Sequence, residues 1–358
     1  MMGEHSKDSL NVALIGYGFA GKTYHAPVIS SVPGLRLSHI ISSDPAKVQK
    51  DWPHTTVLPT LGEALGIPAI DLIVIATPNT THFDFVQRSL AAGKHVVVDK
   101  PFTITVAEAS KLLAQAAATK KLLSVFQNRR WDGDFQTIRR LLKDRAVGEV
   151  THFEAHYDRY RPEVKRRWRE QPVPGSGIWY DLGLHLVDQV LQLFGTPETL
   201  YADLAIQRES GSTVDYFHVL LNYGRSRVIV HGESFASADL PRYVIHGALG
   251  SYVKYGMDPQ EEALKSGEMP GGPGWGVDPR DGTLYTWSGG ELNTTSIPTL
   301  PGNYTGYYEE VRDAILKGAP NPVSAEDALA LMTILELAIQ SSKTRRELPF
   351  RLGRPGSA

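Results

Sequence analysis

The chain has 358 residues, a formal net charge of −2, 42% hydrophobic and 21% charged residues, and no cysteine. That length suits two domains with separate cores, and the lack of cysteine excludes disulfides, thiolate metal sites and a cysteine nucleophile. Near-neutral charge offers no long-range field for nucleic acid or an anionic membrane, and no apolar stretch reaches spanning length, so neither partner is expected.

The segment Met1 to Leu10 is polar and lacks the apolar core of a secretory signal, which makes the cytoplasm the expected compartment. From Leu10 to Phe126, short apolar runs read as buried strands at Asn11–Ile15, Leu37–Ile41, Leu72–Ala76, His95–Val98 and Leu122–Phe126. Amphipathic segments such as Phe83–Ala92 and Val106–Thr119 fit between them as helices, the order of a doubly wound parallel sheet. Beyond Trp131 the pattern changes. A helix at Phe135–Lys143, an alternating strand at Glu149–Tyr157 and a helix at Asp181–Phe194 precede strands at Leu200–Gln207, Tyr216–Tyr223, Arg227–Glu233, Arg242–His246 and Ser251–Tyr255. Strands in succession favour an antiparallel sheet, so the expected fold is an α/β Rossmann domain (1–128) followed by an α+β domain (129–358). The Gly- and Pro-rich segment Pro259–Gly282 reads as a long ordered loop or flap, and helices at Tyr304–Leu316 and Ala325–Ser341 close the chain.

The loop Gly16-Tyr17-Gly18-Phe19-Ala20-Gly21 follows a strand and precedes a helix, the context of a dinucleotide fingerprint. Its glycines permit a tight turn, close backbone approach to pyrophosphate and close helix packing. The second strand ends in Ser42-Ser43, where a carboxylate would bind the ribose of NAD; small hydroxyl residues leave room for a 2′-phosphate and favour NADP. Asp44 keeps NAD as the alternative if it acts as the ribose-binding acid, although an Asp before Pro45 also reads as a helix cap.

Thr77-Pro78-Asn79-Thr80-Thr81-His82 and Asp99-Lys100-Pro101 both follow strands, at the carboxyl edge where open α/β sheets bind ligands. Thr77, Pro78, Asn79, His82 and Lys100 are therefore placed near the nucleotide, and a surface lysine and a turn-forming Asn are the bland readings. Asp181 and His185, four apart on one helix face, form a carboxylate–imidazole pair suited to taking a hydroxyl proton. The same pair also reads as a helix-dipole acid beside a satisfied histidine; no third ligand accompanies it, so no metal is expected. The basic, aromatic run from Arg159 to Arg169 offers Tyr160, Arg161 and Trp168 as substrate contacts, against the reading as a solvated loop.

Taken together, the glycine loop with Tyr24-His25, Thr77-Pro78-Asn79, His82, Ala92-Gly93-Lys94-His95-Val96, Lys100-Pro101, and Asp181 with His185 resemble the glucose-fructose oxidoreductase / inositol dehydrogenase / rhizopine-catabolism (Gfo/Idh/MocA) family. Asn128-Arg129-Arg130-Trp131-Asp132, Arg159-Tyr160-Arg161-Pro162-Glu163-Val164, Tyr180-Asp181-Leu182-Gly183, Val214-Asp215-Tyr216-Phe217-His218 and Pro241-Arg242-Tyr243 look like its NADP-dependent scyllo-inositol dehydrogenase branch. The resemblance implies an open-faced, mainly antiparallel second sheet that packs against its counterpart in a homodimer or homotetramer. It also implies Lys100, Asp181 and His185 as catalytic positions. Asp99 departs from the family's usual Glu before Lys-Pro, and Leu184 from its usual small or imino residue. The implied reaction interconverts a secondary alcohol of a cyclic polyol or sugar and its ketone, with the hydroxyl held by Lys100 and deprotonated by His185. A dehydrogenase of a pyranose or linear sugar such as glucose or xylose is the alternative within enzymes. A non-catalytic NADP-binding regulator is the alternative outside them, although binding alone needs no acid–base set.

Overall fold

The computed structural model describes residues 8–353. Its first sheet has six parallel strands: β1 (Leu10–Ile15), β2 (Leu35–Ile41), β3 (Thr56–Leu58), β4 (Leu72–Ile75), β5 (His95–Val98) and β6 (Leu123–Val125). They lie in the order β3-β2-β1-β4-β5-β6, the doubly wound topology whose reversal falls between β1 and β4. The Val/Ile/Leu runs form its central strands because helices cover both faces: α1 (Ala26–Ser30), α2 (Pro45–Asp51), α3 (Leu61–Leu65), α4 (His82–Ala91) and α5 (Val106–Thr119). Thr105 starts α5 with a capping box, its hydroxyl accepting from Glu108 N while the Glu108 carboxylate accepts from Thr105 N.

The second sheet has nine strands. After α6 (Gly133–Lys143) and β7 (Val150–His156) come a π turn over Trp179–Gly183, α7 (Leu184–Phe194), and β8 (Thr199–Ala205), β9 (Tyr216–Tyr223), β10 (Ser226–Glu233), β11 (Pro241–Gly247) and β12 (Gly250–Tyr255). Helix α8 (Gln260–Ser266), β13 (Gly282–Ser288), β14 (Glu291–Ile297), α9 (Thr305–Lys317), α10 (Ala325–Thr344) and β15 (Leu348–Pro349) complete the chain. The sheet order is β14-β13-β12-β11-β7-β10-β9-β8-β15; β7 and β10 run parallel, and the other pairings are antiparallel. Alternation along β7, β9 and β10 buries Phe153, Ala155, Phe217, Val219, Val228 and Val230 on one face. It leaves His152, Glu154, His156, His218 and His231 half-buried on the other. The buried face meets α7 through Phe153 against Phe194, and Trp179 packs on Phe217 while donating its indole N–H to Leu335 O.

The chain folds into two compact units: residues through Asn128 with Gln260–Trp275 and Asn303–Ala328 in the first, and the rest in the second. In the first unit, Tyr308 OH lies 2.6 Å from His25 Nδ1, and Tyr307 OH donates to Ser124 Oγ. The segment Pro259–Gly282 is therefore no continuous loop. Gln260 opens α8, and its Oε1 accepts from Trp275 Nε1 at 3.1 Å and Tyr304 N at 2.7 Å, so a buried amide organises a stretch whose composition alone reads as irregular.

Candidate functional site: a dinucleotide cradle and an acid–base helix

β1 ends at Ile15, and the chain turns through Gly16 at φ +95°, a left-handed conformation costly for any side chain. Each glycine of the loop has a separate reason. A Cβ on Gly16 would meet Ala76 O at 2.5 Å, and one on Gly21 would meet Gly16 O at 1.9 Å, so both are fixed by the protein's own packing. Gly18 has nothing within 4 Å of a Cβ position. The space it leaves open is what a pyrophosphate approaching the backbone requires, so the loop fits a dinucleotide. Gly18→Ala should leave stability within about 0.5 kcal/mol and weaken dinucleotide binding about 10-fold, measured by fluorescence titration. Gly21→Ala should cost about 1–3 kcal/mol by overpacking, read by denaturant unfolding.

Ser42 and Ser43 follow directly on β2. Asp44 is not directed away from its own helix: as N-cap of α2 its carboxylate accepts from Lys47 N at 3.0 Å, while Ser42 Oγ accepts from Asp44 N at 3.1 Å. Tyr17 donates from its hydroxyl to Asp51, which also pairs with Lys22 at 2.7 Å, and Lys47 Nζ donates to Tyr17 O. Burial, then the Asp51 hydrogen bond, pushes the Tyr17 phenol well up. Tyr17 is thereby pinned, whereas Phe19 is exposed. Ala20 precedes the helical turn from Gly21. Lys22, Lys47 and Asp51 were not singled out from the sequence, because charged residues on an exposed helix carry no local signal of such a network.

At the carboxyl edge of β4, Thr77 Oγ1 and Thr81 Oγ1 lie 2.6 Å apart, Thr81 Oγ1 donates to Pro78 O, and Asn79 is buried. His82 turns inward at this edge. It is buried, with Nδ1 2.8 Å from Pro101 O and Nε2 3.0 Å from Thr77 O, so it ties the loop after β4 to the loop after β5. Burial lowers its basicity. Lys100 is half-buried beside Asp99, whose Oδ1 accepts from Lys100 N at 2.7 Å and whose Oδ2 lies 3.8 Å from His25 Nε2. Burial alone would raise the Asp99 carboxyl; His25, then the charges of Lys100 and His82, outweigh it and hold it below the usual range. The Asp in place of Glu thus supports the backbone at Lys100 from within the unit.

In the second unit, Asp181 lies in the π turn and His185 in the first turn of α7, both on one short helical run. Gly183 admits the Trp179 ring, since a Cβ there would sit 2.2 Å from Trp179 Cε3. His185 is buried, its ring centre 6.4 Å from that of Tyr157. Asp181 pairs with Arg169 at 3.2 Å, which joins the helix to the basic stretch. A cavity in this unit is lined by Asp181 and by Arg159, Arg161, Arg167, Arg169 and Arg208. Glu170 holds Arg167 and Arg208, and Asp215 holds Arg208. Of the three residues read from the sequence as substrate contacts, Arg161 lines this cavity. Tyr160 is exposed and bridges to Phe235, and Trp168 stacks against Arg169. Arg208 could not be anticipated, because it arrives from a loop 39 residues further along the chain than Arg169. Helix α7 is anchored by Asp188, which accepts from Arg130 at 2.9 and 2.7 Å, and by Gln189, which donates to Arg129 O and accepts from Tyr243 OH. His156, Asp158 and His231, none of which the sequence reading singles out, come together on the second sheet through strand pairing.

Residues 10–127 match the family model described as "Oxidoreductase family, NAD-binding Rossmann fold", and residues 139–350 that described as "Oxidoreductase family, C-terminal alpha/beta domain". The chain belongs to the Gfo/Idh/MocA oxidoreductase family. It is 51% identical to the oxidoreductase YdgJ of Escherichia coli, over 95% of this chain and 99% of the relative. It is 39% identical to the scyllo-inositol 2-dehydrogenase (NADP+) IolW of Bacillus subtilis, over 97% and 98%. Among solved structures, an oxidoreductase of Yersinia pestis matches with a TM-score of 0.93 at 51% identity, covering 96% of this chain and 98% of that one. The Gfo/Idh/MocA assignment makes this chain a dehydrogenase with a nicotinamide-dinucleotide-binding domain. Among the described residues no helix is long and apolar enough to cross a membrane.

Proposed function

We propose that this Gfo/Idh/MocA oxidoreductase is an NADP-dependent dehydrogenase of a secondary hydroxyl on a cyclic polyol of the scyllo-inositol kind. The observation that carries the cofactor choice is the end of β2: two serines occupy it, and the nearest carboxylate, Asp44, is spent as the cap of α2. The similarity to the NADP-dependent enzyme of Bacillus subtilis supports the same reading and the substrate class.

Gly16, Tyr17, Gly18, Phe19, Ala20 and Gly21 would hold the pyrophosphate, Ser42 and Ser43 the adenosine ribose phosphate, and Thr77, Pro78 and Asn79 the adjoining edge, with His82 bracing them. Bound there, the nicotinamide supplies the hydride acceptor. His185 takes the hydroxyl proton, Lys100 offsets the negative charge growing on that oxygen, and Asp181, shared with Arg169, keeps the acid–base helix charged and oriented. Arg161 is the strongest candidate to contact substrate, with Tyr160 next to it and Trp168 seven residues further along the same basic run. The half-buried polar face of the nine-stranded sheet supports a homodimer or homotetramer, which light scattering would resolve.

The test is reduced-nicotinamide absorbance with a panel of inositols, glucose and xylose, each with NADP+ and NAD+. Turnover of an inositol with NADP+ preferred is expected. Greater efficiency with NAD+ would overturn the cofactor choice, efficient turnover of glucose or xylose alone the substrate choice, and binding without turnover the enzyme reading in favour of a regulator. Ser42→Asp should lower kcat/KM for NADP+ about 10–100-fold while sparing NAD+, because a carboxylate then faces the 2′-phosphate.

A further inference from the structure

The half-buried polar face of the nine-stranded sheet holds a second constellation, independent of hydride chemistry. The parallel register of β7 and β10 sets His156 directly beside His231, and the antiparallel register of β9 and β10 sets His218 beside His231. Asp158, two residues beyond His156, falls on the same face by the period of a strand. His156 Nδ1 is 3.1 Å from Asp158 Oδ2, and His231 Nε2 is 3.5 Å from Asp158 Oδ1. One ligand atom from each of the three residues lies within 4.8 Å of the others. A tetrahedral ion with ligands at about 2.0–2.1 Å holds them about 3.4 Å apart, and each histidine already stands near that distance from one carboxylate oxygen, His156 from Oδ2 and His231 from Oδ1.

Two further observations point to an occupant. The Asp158 side chain is 6% exposed, yet its Oδ1 accepts no hydrogen bond from the described residues. Each imidazole also has its other nitrogen engaged elsewhere: His156 Nε2 lies 2.9 Å from Glu154 Oε2, and His231 Nδ1 lies 3.4 Å from His218 Nδ1. Glu154 is in turn held by His152 at 2.7 Å. Behind His156, the Glu154 carboxylate fixes the tautomer and aims the other nitrogen, the arrangement that supports histidine ligands of metals.

We propose that His156, Asp158 and His231 bind one divalent transition-metal ion of the zinc class, with water in the fourth position. Two imidazoles and a carboxylate suit such an ion better than magnesium or calcium, which take oxygen ligands. The ion would clamp β7 to β10, the parallel pair of the sheet. It would also neutralise a carboxylate that folding has removed from water.

The test uses the full chain without an affinity tag, stripped with chelator and titrated with Co2+ by visible absorption. One equivalent with ligand-field bands, displaced by Zn2+, is expected, together with a rise in Tm on adding Zn2+. His231→Gln and Asp158→Asn should each weaken Co2+ binding at least about 100-fold. His246→Gln, on the neighbouring strand β11, should leave it unchanged. If His231→Gln does not fold by circular dichroism, His156→Gln reads the same site from the other strand. No saturable binding by the wild type, or binding undiminished in His231→Gln and Asp158→Asn, overturns the proposal.

Discussion

Replacing His185 with alanine is expected to lower kcat about 10²–10⁴-fold, the range that a positioned proton acceptor supplies. Lys100→Ala should fall in the same range, because a cation next to a developing alkoxide acts mainly in the transition state. KM should change little in either variant if the interaction is absent from the ground state. Both residues can be replaced with modest risk to the fold. Lys100 is half-buried at a loop, and His185 opens a helix that is held by Asp188 and Gln189. Steady-state rates, with circular dichroism and dinucleotide binding as controls, check the assignment. Near wild-type turnover in both folded variants would show that the acid–base set lies elsewhere. Asp181→Asn should give a smaller loss. It keeps the helix but breaks the ion pair with Arg169, so the rate loss should grow with the dependence of His185 on a nearby carboxylate.

The second large effect concerns stability. Asp188→Ala should cost about 3–5 kcal/mol in denaturant unfolding, because it leaves the Arg130 guanidinium buried after removing a two-pronged acceptor. The pair is buried on both sides, at 6% and 2% exposure, so water cannot replace the lost partner. Replacing both residues together, Arg130→Met with Asp188→Leu, should recover most of that loss, since two apolar groups of similar volume need no partner. The single variant should also lower kcat, because Asp188 stands one turn after His185 on α7. A loss below about 1 kcal/mol would mean that the ion pair adds little to desolvated packing.

Much of this was legible in the residues. Apolar runs marked β1, β4 and β5, since strands buried on both faces leave no room for polar alternation. The glycine loop was legible for the same kind of reason, its residues being dictated by backbone contacts with Ala76 and within the loop. What stayed hidden depended on partners far along the chain. β3 has only three residues, and β14, Glu-Leu-Asn-Thr-Thr-Ser-Ile, is polar and exposed, so neither carries a hydrophobic period. The internal duties of His82 and Asp99 rest on carbonyls and a histidine brought in by other loops. Arg208 beside Glu170, and His231 beside His156, are products of loop closure and strand register, for which composition has no sign.

The nucleotide-binding unit is assembled from three stretches of chain, and the last of them brings Tyr307 and Tyr308 against Phe126 and His25. During synthesis, the Rossmann sheet can therefore form early, but its aromatic backing arrives only after the ribosome has released the residues of α9. A fragment ending at Asn128 would keep the glycine loop and expose the buried ring of Phe126, a sticky surface where the intact chain has a closed core.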